Sequence, residues 1–383
     1  MKKFKFNIKI IIIAFNVVTF GYFVLTFYGC DQITNQPAAN CSQKSGTRFI
    51  TPAEMALEMN MFRETGVSTV YSSPMRILDY GHVTVIEDNG TFEGTPAGII
   101  PVVKRFYSKH PDVYDFITIY SNFEAPGMDS VAWHTDVTQT VEGIGKPLSD
   151  FSSDYGSKGR LKGIQYMNSL SKYSGDPDSF AYLAFDAYHL LGRVLSLQWA
   201  ANFRFRDRHG YISTDLLDLT HPGHWLNCVE LNKDLLNGHS WRDNGDGTYT
   251  DIGSCQQYGL LTLYAMGLID KSEVAPFLVL ARTDSGSCTA CCFNLRTIPA
   301  TARTVTINDI ISAEGFRNPD YSVSQKHFNM AFILVVKRGE FPPLPLEIQF
   351  VEKVRSTFPA VFEFISGARG SMNTNLIGPV LPK

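Results

Sequence analysis

The feature that most constrains this chain is a long apolar stretch between residues 179 and 205. It contains no proline and a single glycine, Gly192, and its apolar residues recur through about seven turns of helix at 3.6 residues per turn. A helix that is apolar nearly all round must be buried inside a domain. The sequence therefore predicts one long central helix around which the rest of the chain packs.

The composition of the chain narrows the classes of protein it can belong to. Of 383 residues, 44 % are hydrophobic and 19 % are charged, which is a globular composition. This excludes a disordered chain, a collagen-like chain and a membrane protein with many spans. Lys and Arg number 34 and Asp and Glu number 37, so the net charge is −3. A balance this close to neutral offers no electrostatic footprint for a nucleic-acid partner.

The N-terminus has the pattern of an export segment. Four lysines within the first nine residues precede an apolar run from Ile10 to Tyr28, which ends at Gly29-Cys30. This order predicts a bacterial lipoprotein signal in which Cys30 is lipidated. As a helix the run is about 28 Å long, so an uncleaved signal anchor is the alternative. Both place everything after Cys30 on the extracytoplasmic face of a membrane, in the cell envelope, with that membrane as a partner.

The rest of the chain is interpreted as a tether and one mixed domain. Residues 31–50 are polar and rich in Asn, Gln, Ser and Ala, which is typical of a flexible tether. Residues 51–383 form the predicted α+β domain. Its predicted elements are a helix beginning at the capping box Thr51-Pro52-Ala53-Glu54, a buried strand at 113–120 and a final helix at 347–364.

The number of cysteines is consistent with an exported protein. Without Cys30, six remain, namely Cys41, Cys228, Cys255, Cys288, Cys291 and Cys292. An even number in an exported chain indicates disulfides, for which about 15 pairings exist. We expect Cys228 to pair with Cys255.

A glycine-rich turn follows Trp241. The run Asp243-Asn244-Gly245-Asp246-Gly247 supplies Asn-Gly and Asp-Gly steps, which favour a tight hairpin between residues 241 and 251. The alternative is a surface calcium site at Asp243, Asp246 and Asp251, although Gly245 occupies a position where a calcium loop needs an oxygen ligand.

Several segments together resemble a known family. They are YGSKGRLKGI (155–164), LGRVLSLQWAANFRFRD (191–207), HW (224–225), WRDNGDGTYT (241–250), YGLLTLYAMGL (258–268), the EVAPF run from Glu273, TVTINDIISAEGFRNP and QKHFNMAFILV. Their order resembles a group of secreted bacterial zinc metallopeptidase-like proteins from about residue 113 to the C-terminus. The resemblance implies a zincin-like domain, in which a twisted mixed sheet packs on a long central helix.

The same resemblance places the metal-binding motif on the helix. A zincin needs two His one turn apart and a Glu beside the first, to hold zinc and to activate water. These positions correspond to Arg193, Val194 and Leu197 here, so HExxH is replaced by Arg193-Val194-Leu195-Ser196-Leu197. A guanidinium has no lone pair for a metal. The resemblance therefore implies a catalytically inactive member with no resident cofactor, whose cleft binds a peptide or protein or is filled by Arg193 and Trp199.

Three histidines leave open the alternative that the protein is an active enzyme. His221, His224 and His189 are the remaining candidate ligands for an atypical zinc-dependent hydrolase, and His224 occupies the HW position. Pro222-Gly223 equally predicts a turn that His221 and His224 cap by hydrogen bonds. Met266 resembles the methionine found below the metal in some zincins, although an apolar position of this kind is also typical of a core residue. The discriminating feature is geometric, because the three His must converge on one point.

Overall fold

The structure is a computed structural model that divides into two compact units, residues 1–70 and 71–383. It describes the strands of the first unit and, in the second, residues 75–127, 130–173, 177–178, 186–232, 234–253, 256–288 and 296–378. In the first unit, β1 (Ile11–Val18) pairs antiparallel with β2 (Tyr22–Gly29), which pairs with β3 (Arg48–Phe49). The helix predicted at Thr51 lies outside the described residues.

The second unit mixes strands and helices along its whole length. Its strands are β4 (Ile77–Tyr80), β5 (Val83–Glu87), β6 (Phe116–Ser121), β7 (Trp133–Asp136), β8 (Thr138–Gln139), β9 (Ser149–Asp150), β10 (Gly163–Ser169), β11 (Phe205–Arg206), β12 (Ile212–Ser213), β13 (Trp241–Asp243), β14 (Thr248–Asp251), β15 (Phe277–Arg282), β16 (Thr297–Val305), β17 (His327–Val336) and β18 (Ser371–Asn373). Its α-helices are α1 (Pro96–Tyr107), α2 (Ala187–Ser196), α3 (Leu260–Met266), α4 (Ile307–Glu314) and α5 (Pro345–Ile365), with 3-10 turns at Ser152–Tyr155, Leu170–Tyr173 and Lys271–Glu273.

A seven-stranded mixed sheet organises this unit. Its order is β4-β5-β17-β6-β10-β7, and β18 pairs with the first residues of β17. The inner strands β5, β17, β6 and β10 are parallel, whereas β4 and β7 are antiparallel at the two edges. The prediction of a mixed α and β fold with a mixed sheet is confirmed.

Both faces of the sheet are covered. Alternate residues of β17 point to opposite faces, so Phe332 and Leu334 join one core cluster while Ile333 and Val335 join another. Helices α2 and α5 cover the first face, and α1 covers the second. A sheet buried on both faces is expected to have continuously apolar inner strands, and the strand predicted at 113–120 is found as the fully buried β6.

The long central helix is not found. Helix α2 begins after Asp186, whose carboxylate accepts hydrogen bonds from the backbone N–H groups of Tyr188 and His189. It ends at Ser196, after only 10 residues. The longest helix of the described residues is instead the C-terminal α5, with 21 residues, in agreement with the final helix predicted from the sequence. No helix in the described part of the chain is both long and apolar enough to cross a membrane.

A tertiary contact explains why the central helix stops early. The buried Lys146 ammonium donates to the carbonyls of Leu197 and Gln198, at 2.9 and 3.1 Å, just beyond the last turn of α2. A cation at a helix C-terminus binds the carbonyls left without intrahelical partners. Ala201 then adopts a φ of +58°, which no helix continues through. The sequence has no proline or glycine near this point that would predict the end of the helix.

The glycine-rich turn forms the predicted hairpin. Strands β13 and β14 pair antiparallel with Trp241 opposite Asp251, and β16 and β15 extend them to a four-stranded sheet. The carboxylates of the alternative calcium site are separately engaged. Asp243 accepts from Gly245 N, Asp246 accepts from Thr248 N, and Asp251 lies 2.6 Å from His239 Nδ1.

The disulfide pairing expected from the sequence is wrong. Cys228 pairs with Cys288, and their Cα atoms are 5.4 Å apart. Both cysteines pack beside the four-stranded sheet, where Leu280 N donates to Cys228 O and Asn227 N donates to Cys288 O. These backbone bonds place the two cysteines together, which spacing along the sequence does not reveal. Cys41, Cys255, Cys291 and Cys292 lie outside the described residues.

Gly145 provides a test of the packing at the end of α2. Its φ is +75°, and an added Cβ would lie 2.1 Å from the Asn202 carbonyl oxygen. We expect Gly145→Ala to lower the free energy of unfolding by about 3 kcal/mol or more, because backbone must move. Gly81→Ala is the control, since Gly81 has a φ of +63° and nothing within 4 Å. It should cost only about 1–2 kcal/mol of backbone strain. Equal losses in urea unfolding would contradict the close contact.

Candidate functional site

Helix α2 places Arg193 inside the protein. The side chain is only 8 % exposed, and its guanidinium donates to the Leu235 carbonyl and, at 3.0 Å, to Asn237 Oδ1. The segment 234–237 therefore lies against the middle of α2. Because the guanidinium is charged throughout the physiological pH range, this is a permanent positive charge in the core.

A buried carboxylate, Asp234, stands near that charge. It accepts hydrogen bonds from Leu236 N at 2.7 Å and from Gly259 N at 2.6 Å. Burial raises the pKa of Asp234 to about 6, while these bonds, one from Thr262 and the positive charge of Arg193 act in the opposite direction. Asp234 thereby ties the loop after Cys228 to the start of α3.

Thr262 on α3 completes this buried polar group. Its hydroxyl accepts a hydrogen bond from Trp225 Nε1 at 3.0 Å, and Trp225 is fully buried. Arg193, Asn237, Asp234, Thr262 and Trp225 therefore form a connected cluster between α2 and α3, which we call the arginine cluster. Each polar contact within it matches a donor with an acceptor, as a buried network requires.

Arg193 and Leu197, which the sequence resemblance assigns to the metal-binding motif, lie against the 221–237 segment. Arg193 contacts residues 235 and 237, and Leu197, four residues on, lies so near Gly223 that a Cβ there would be 2.9 Å from Leu197 Cδ2. Val194, which the resemblance assigns to the position of the general base, is an aliphatic residue that is 3 % exposed. These three residues offer one cation and two apolar side chains. They supply neither a lone pair for a metal nor a base for water.

The three candidate histidines each have a local partner. His189 Nδ1 lies 3.0 Å from both carboxylate oxygens of Asp186, and His221 Nδ1 lies 3.2 Å from Asp218 Oδ2. His224 Nδ1 lies 3.1 Å from the carbonyl oxygen of His221, to which it donates. Within the described ranges, no three His, Cys, Asp or Glu side chains are grouped so that they hold a metal ion.

The His224 imidazole lies near the positive charge of Arg193. Burial lowers its pKa to about 3, and the positive charge of Arg193 acts in the same direction. The side chain is nevertheless partly exposed, at the edge of the arginine cluster. Met266 is buried in the same core cluster as α2 and closes the last turn of α3.

A second buried polar group, which we call the lysine cluster, lies at the C-terminus of α2. Lys146 contacts Asp136 at 2.7 Å, and His134 Nε2 lies 3.1 Å from Asp136 Oδ1, while Gln165 Nε2 lies 3.1 Å from His134 Nδ1. Burial lowers the pKa of His134 despite the nearby Asp136. Burial raises the pKa of Asp136, the Lys146 charge lowers it, and the net direction is downward. The His134 imidazole and the ion pair of Lys146 with Asp136 connect β7, β10 and the end of α2.

The sequence interpretation missed two members of these clusters. Asp234 is hydrogen-bonded to Thr262, which lies on a different segment of the chain. Lys146 binds the carbonyls at the C-terminus of α2. Neither residue lies in a local pattern, because each acts on a helix that is distant along the chain.

No family model, no curated protein and no solved structure matches this chain.

Arg193 and His224 are electrostatically linked, which an arginine substitution tests. Arg193→Met retains most of the side-chain volume but leaves Leu235 O and Asn237 Oδ1 without that donor. We expect the free energy of unfolding to fall by about 3–5 kcal/mol, as for other broken buried charge networks. The pKa of His224, followed by NMR titration, should rise because a positive neighbour is gone, yet remain below 6.5 because burial persists. Arg206→Met removes an exposed arginine and should change neither quantity.

The pH dependence of stability should carry the signature of His224. Its folded-state pKa of about 3 lies below its ordinary value of 6.5, so the unfolded chain binds the proton more tightly. The stability contributed by His224 is therefore present above pH 6.5 and is lost as the pH falls towards 3. In urea unfolding, wild type should lose up to about 1.4 kcal/mol per pH unit more than His224→Gln, with partial exposure reducing this figure.

Asp234 should give a pH dependence of stability with the opposite sign in the same urea unfolding experiment. Because its folded-state pKa is raised from 3.8 to about 6, its stabilising contribution is present below pH 3.8 and is lost as the pH rises through 6. Asp234→Asn should remove that trend. A His224→Gln profile parallel to wild type between pH 6.5 and 4 would contradict the lowered pKa of His224.

Proposed function

We propose that this chain is a non-catalytic, metallopeptidase-like protein of the bacterial cell envelope. In this proposal Cys30 carries a lipid, or the preceding apolar run serves as an anchor, and the second unit stands on the extracytoplasmic face of the membrane. The export part rests on the sequence of residues 2–30, and the family part rests on the order of the resembling segments.

The observation that carries the non-catalytic part is the position of Arg193. It occupies the place that corresponds to the first metal ligand, and its guanidinium is committed to Leu235 O and Asn237 Oδ1. A cation bound in this way repels a divalent metal ion and leaves the neighbouring carbonyl and amide oxygens engaged. In the metal's place the protein has an internal cation that holds two segments together.

The second observation that supports the proposal is that buried side chains fill the region beside α2. Trp199, which follows the helix, is 4 % exposed and packs edge to face against Phe116 at 5.5 Å between ring centroids. Its ring also lies 5.6 Å from that of Phe328. With Arg193 and Trp199 both buried, we propose a structural role for this region rather than a peptide or protein ligand in a cleft.

Metal analysis of the purified full chain tests the proposal. We expect zinc well below one equivalent per chain after mild dialysis, and no peptidase activity that a chelator removes, because no carboxylate stands beside the first ligand position. His221→Ala, His224→Ala and His189→Ala should leave the zinc content unchanged. His327→Ala, which alters an exposed histidine on β17, is the matched control.

One pattern of zinc content would contradict the proposal. Stoichiometric zinc in the wild-type chain that is lost in His221→Ala or His224→Ala, but kept in His327→Ala, would contradict the non-catalytic proposal. It would establish instead the zinc-dependent hydrolase with an atypical ligand set. Chelator-sensitive cleavage of a peptide library by the same preparation would have the same meaning.

Restoring the motif is a positive control for the resemblance. Arg193→His, Val194→Glu and Leu197→His together should increase the zinc content relative to the single variant Arg193→His, if these positions correspond to those of a zincin. The triple variant should be refolded with zinc present, because a buried carboxylate at position 194 without a metal costs stability.

A further inference from the structure

His110, just beyond the end of α1, is buried with both ring nitrogens directed at oxygen atoms. Its side chain is 1 % exposed. The Nδ1 atom lies 3.1 Å from the Phe106 carbonyl oxygen, and Nε2 lies 3.1 Å from each carboxylate oxygen of Asp79. A carbonyl and a carboxylate only accept hydrogen bonds, so each ring nitrogen needs a hydrogen atom of its own. A neutral imidazole has one such hydrogen atom, and an imidazolium has two.

The surroundings of His110 favour the positively charged ring. The Phe106 carbonyl belongs to the last turn of α1, and a cation is favourable at the C-terminus of a helix. The His110 ring is stacked on the Phe106 ring, with 4.3 Å between the centroids and 15° between the planes, and an aromatic face attracts a cation. Burial opposes the charge, so the charged ring depends on the negative charge of Asp79.

Asp79 keeps that negative charge at neutral pH. Burial raises the pKa of Asp79, but hydrogen bonds from His110 and Thr84 lower it, and the net direction is downward. Thr84 Oγ1 donates to Asp79 Oδ1 at 2.8 Å, and the two residues are direct partners across β4 and β5. The carboxylate is therefore held in place by the hairpin as well as by His110.

The pair of His110 and Asp79 joins α1 to an edge strand. β4 lies at the edge of the seven-stranded sheet, where β5 is its neighbour. A second link is made by Arg105, in the last turn of α1, whose Nε donates to the Met75 carbonyl at 2.7 Å, just before β4 begins. Edge elements with few contacts are among the parts of a fold that open locally at the lowest free energy. Loss of one of the two links should therefore loosen β4.

We propose that His110 is a pH-sensitive clamp, which holds β4 on α1 while both ring nitrogens carry a proton and releases it when one proton is lost at alkaline pH. After that loss, one nitrogen presents a lone pair to an oxygen lone pair, and the buried contact becomes repulsive. The opened strand leaves β5 with an unpaired edge, to which another chain can pair. His110 lies outside the clusters around α2, so the clamp is independent of the proposed function.

The other titratable groups near the clamp are engaged elsewhere or stay neutral. Two phenols, those of Tyr107 and Tyr114, pack edge to face on the Phe106 ring at 5.4 Å. Burial raises the pKa of both, that of Tyr114 to about 12, so neither loses a proton near neutral pH. In the turn between β4 and β5, the exposed His82 accepts a hydrogen bond from Leu376 N at its Nδ1. The cations of the segment that contains His110 are Lys104, Arg105 and Lys109.

Nitrogen NMR of the histidine rings in the purified full chain tests the protonation of His110. At about pH 7 the His110 signals, assigned by their loss in His110→Gln, should show a hydrogen atom on both ring nitrogens. In Asp79→Asn one of these hydrogen atoms should be lost, because the charge that holds it is gone. His82→Gln changes an exposed histidine of the same hairpin and should leave the His110 signals unaltered.

Urea unfolding tests the link between this proton and the fold. An unfolded histidine releases its proton above about pH 6.5, whereas the folded chain holds the proton of His110, so the stability due to the clamp is present below that pH and is lost as the pH rises. From about pH 6.5 to 8.5 the unfolding equilibrium constant of the wild type should rise by up to about tenfold per pH unit more than that of His110→Gln. Hydrogen-exchange protection factors of β4 and β5 should fall over the same range, and should fall less in Asp79→Asn.

Each measurement has a result that would overturn the clamp. A wild-type His110 with one ring nitrogen free of hydrogen at pH 7 would show that the ring is not an imidazolium. Parallel urea profiles of the wild type and His110→Gln would show that folding does not take up this proton. If His110→Gln fails to fold, Asp79→Asn decides, because a pH dependence equal to that of the wild type above pH 6.5 contradicts the clamp. An equal fall of the protection factors in wild type and Asp79→Asn would show that β4 opens without this pair.

Discussion

The fold depends on β17, a strand in the C-terminal part of the chain. β17 pairs with β5 on one side and with β6 on the other, so it closes a gap between two elements of the N-terminal half. Asn329 N, within β17, donates to Asp115 Oδ2 from 214 residues further along the chain. Until this strand is in place, β5 and β6 have no partner on their inner edges. Closing so long a loop is entropically costly, and the apolar residues on both faces of β17 supply the burial that offsets it.

The charges buried around α2 follow from that arrangement. A short helix set against a fully buried sheet has carbonyls and neighbouring loops without access to water, and each must find a partner within the protein. The lysine cluster satisfies the end of the helix, and the arginine cluster satisfies the segment 234–237 against its middle. The active site of a zincin is organised by a divalent metal ion. The proposal made here is that Arg193 provides that organisation as a fixed cation, which holds structure but activates no water.

The sequence predicted the elements whose signals are local. The hairpin at 241–251 follows from its Asn-Gly and Asp-Gly steps, the helix at the C-terminus follows from the prolines before it, and β6 follows from a run of β-branched and aromatic residues. For the candidate site, the resemblance suggested that Arg193, Val194 and Leu197 stand at the motif positions. It did not show what Arg193 binds, because Leu235 and Asn237 are 42 and 44 residues away along the chain.

The sequence by itself determined the composition of the core, the mixed class of the fold and the absence of an HExxH motif, because each of these depends on residue types and short spacings. Only the tertiary structure decided where α2 ends, which cysteine pairs with Cys228 and which carboxylate stands beside Thr262. In each case the deciding partner, whether Lys146, Cys288 or Asp234, comes from a distant part of the chain. Each of these partners acts through a contact between residues that are far apart in the sequence. In α2, the apolar periodicity of the sequence continues beyond Ser196, where the helix ends beside Lys146.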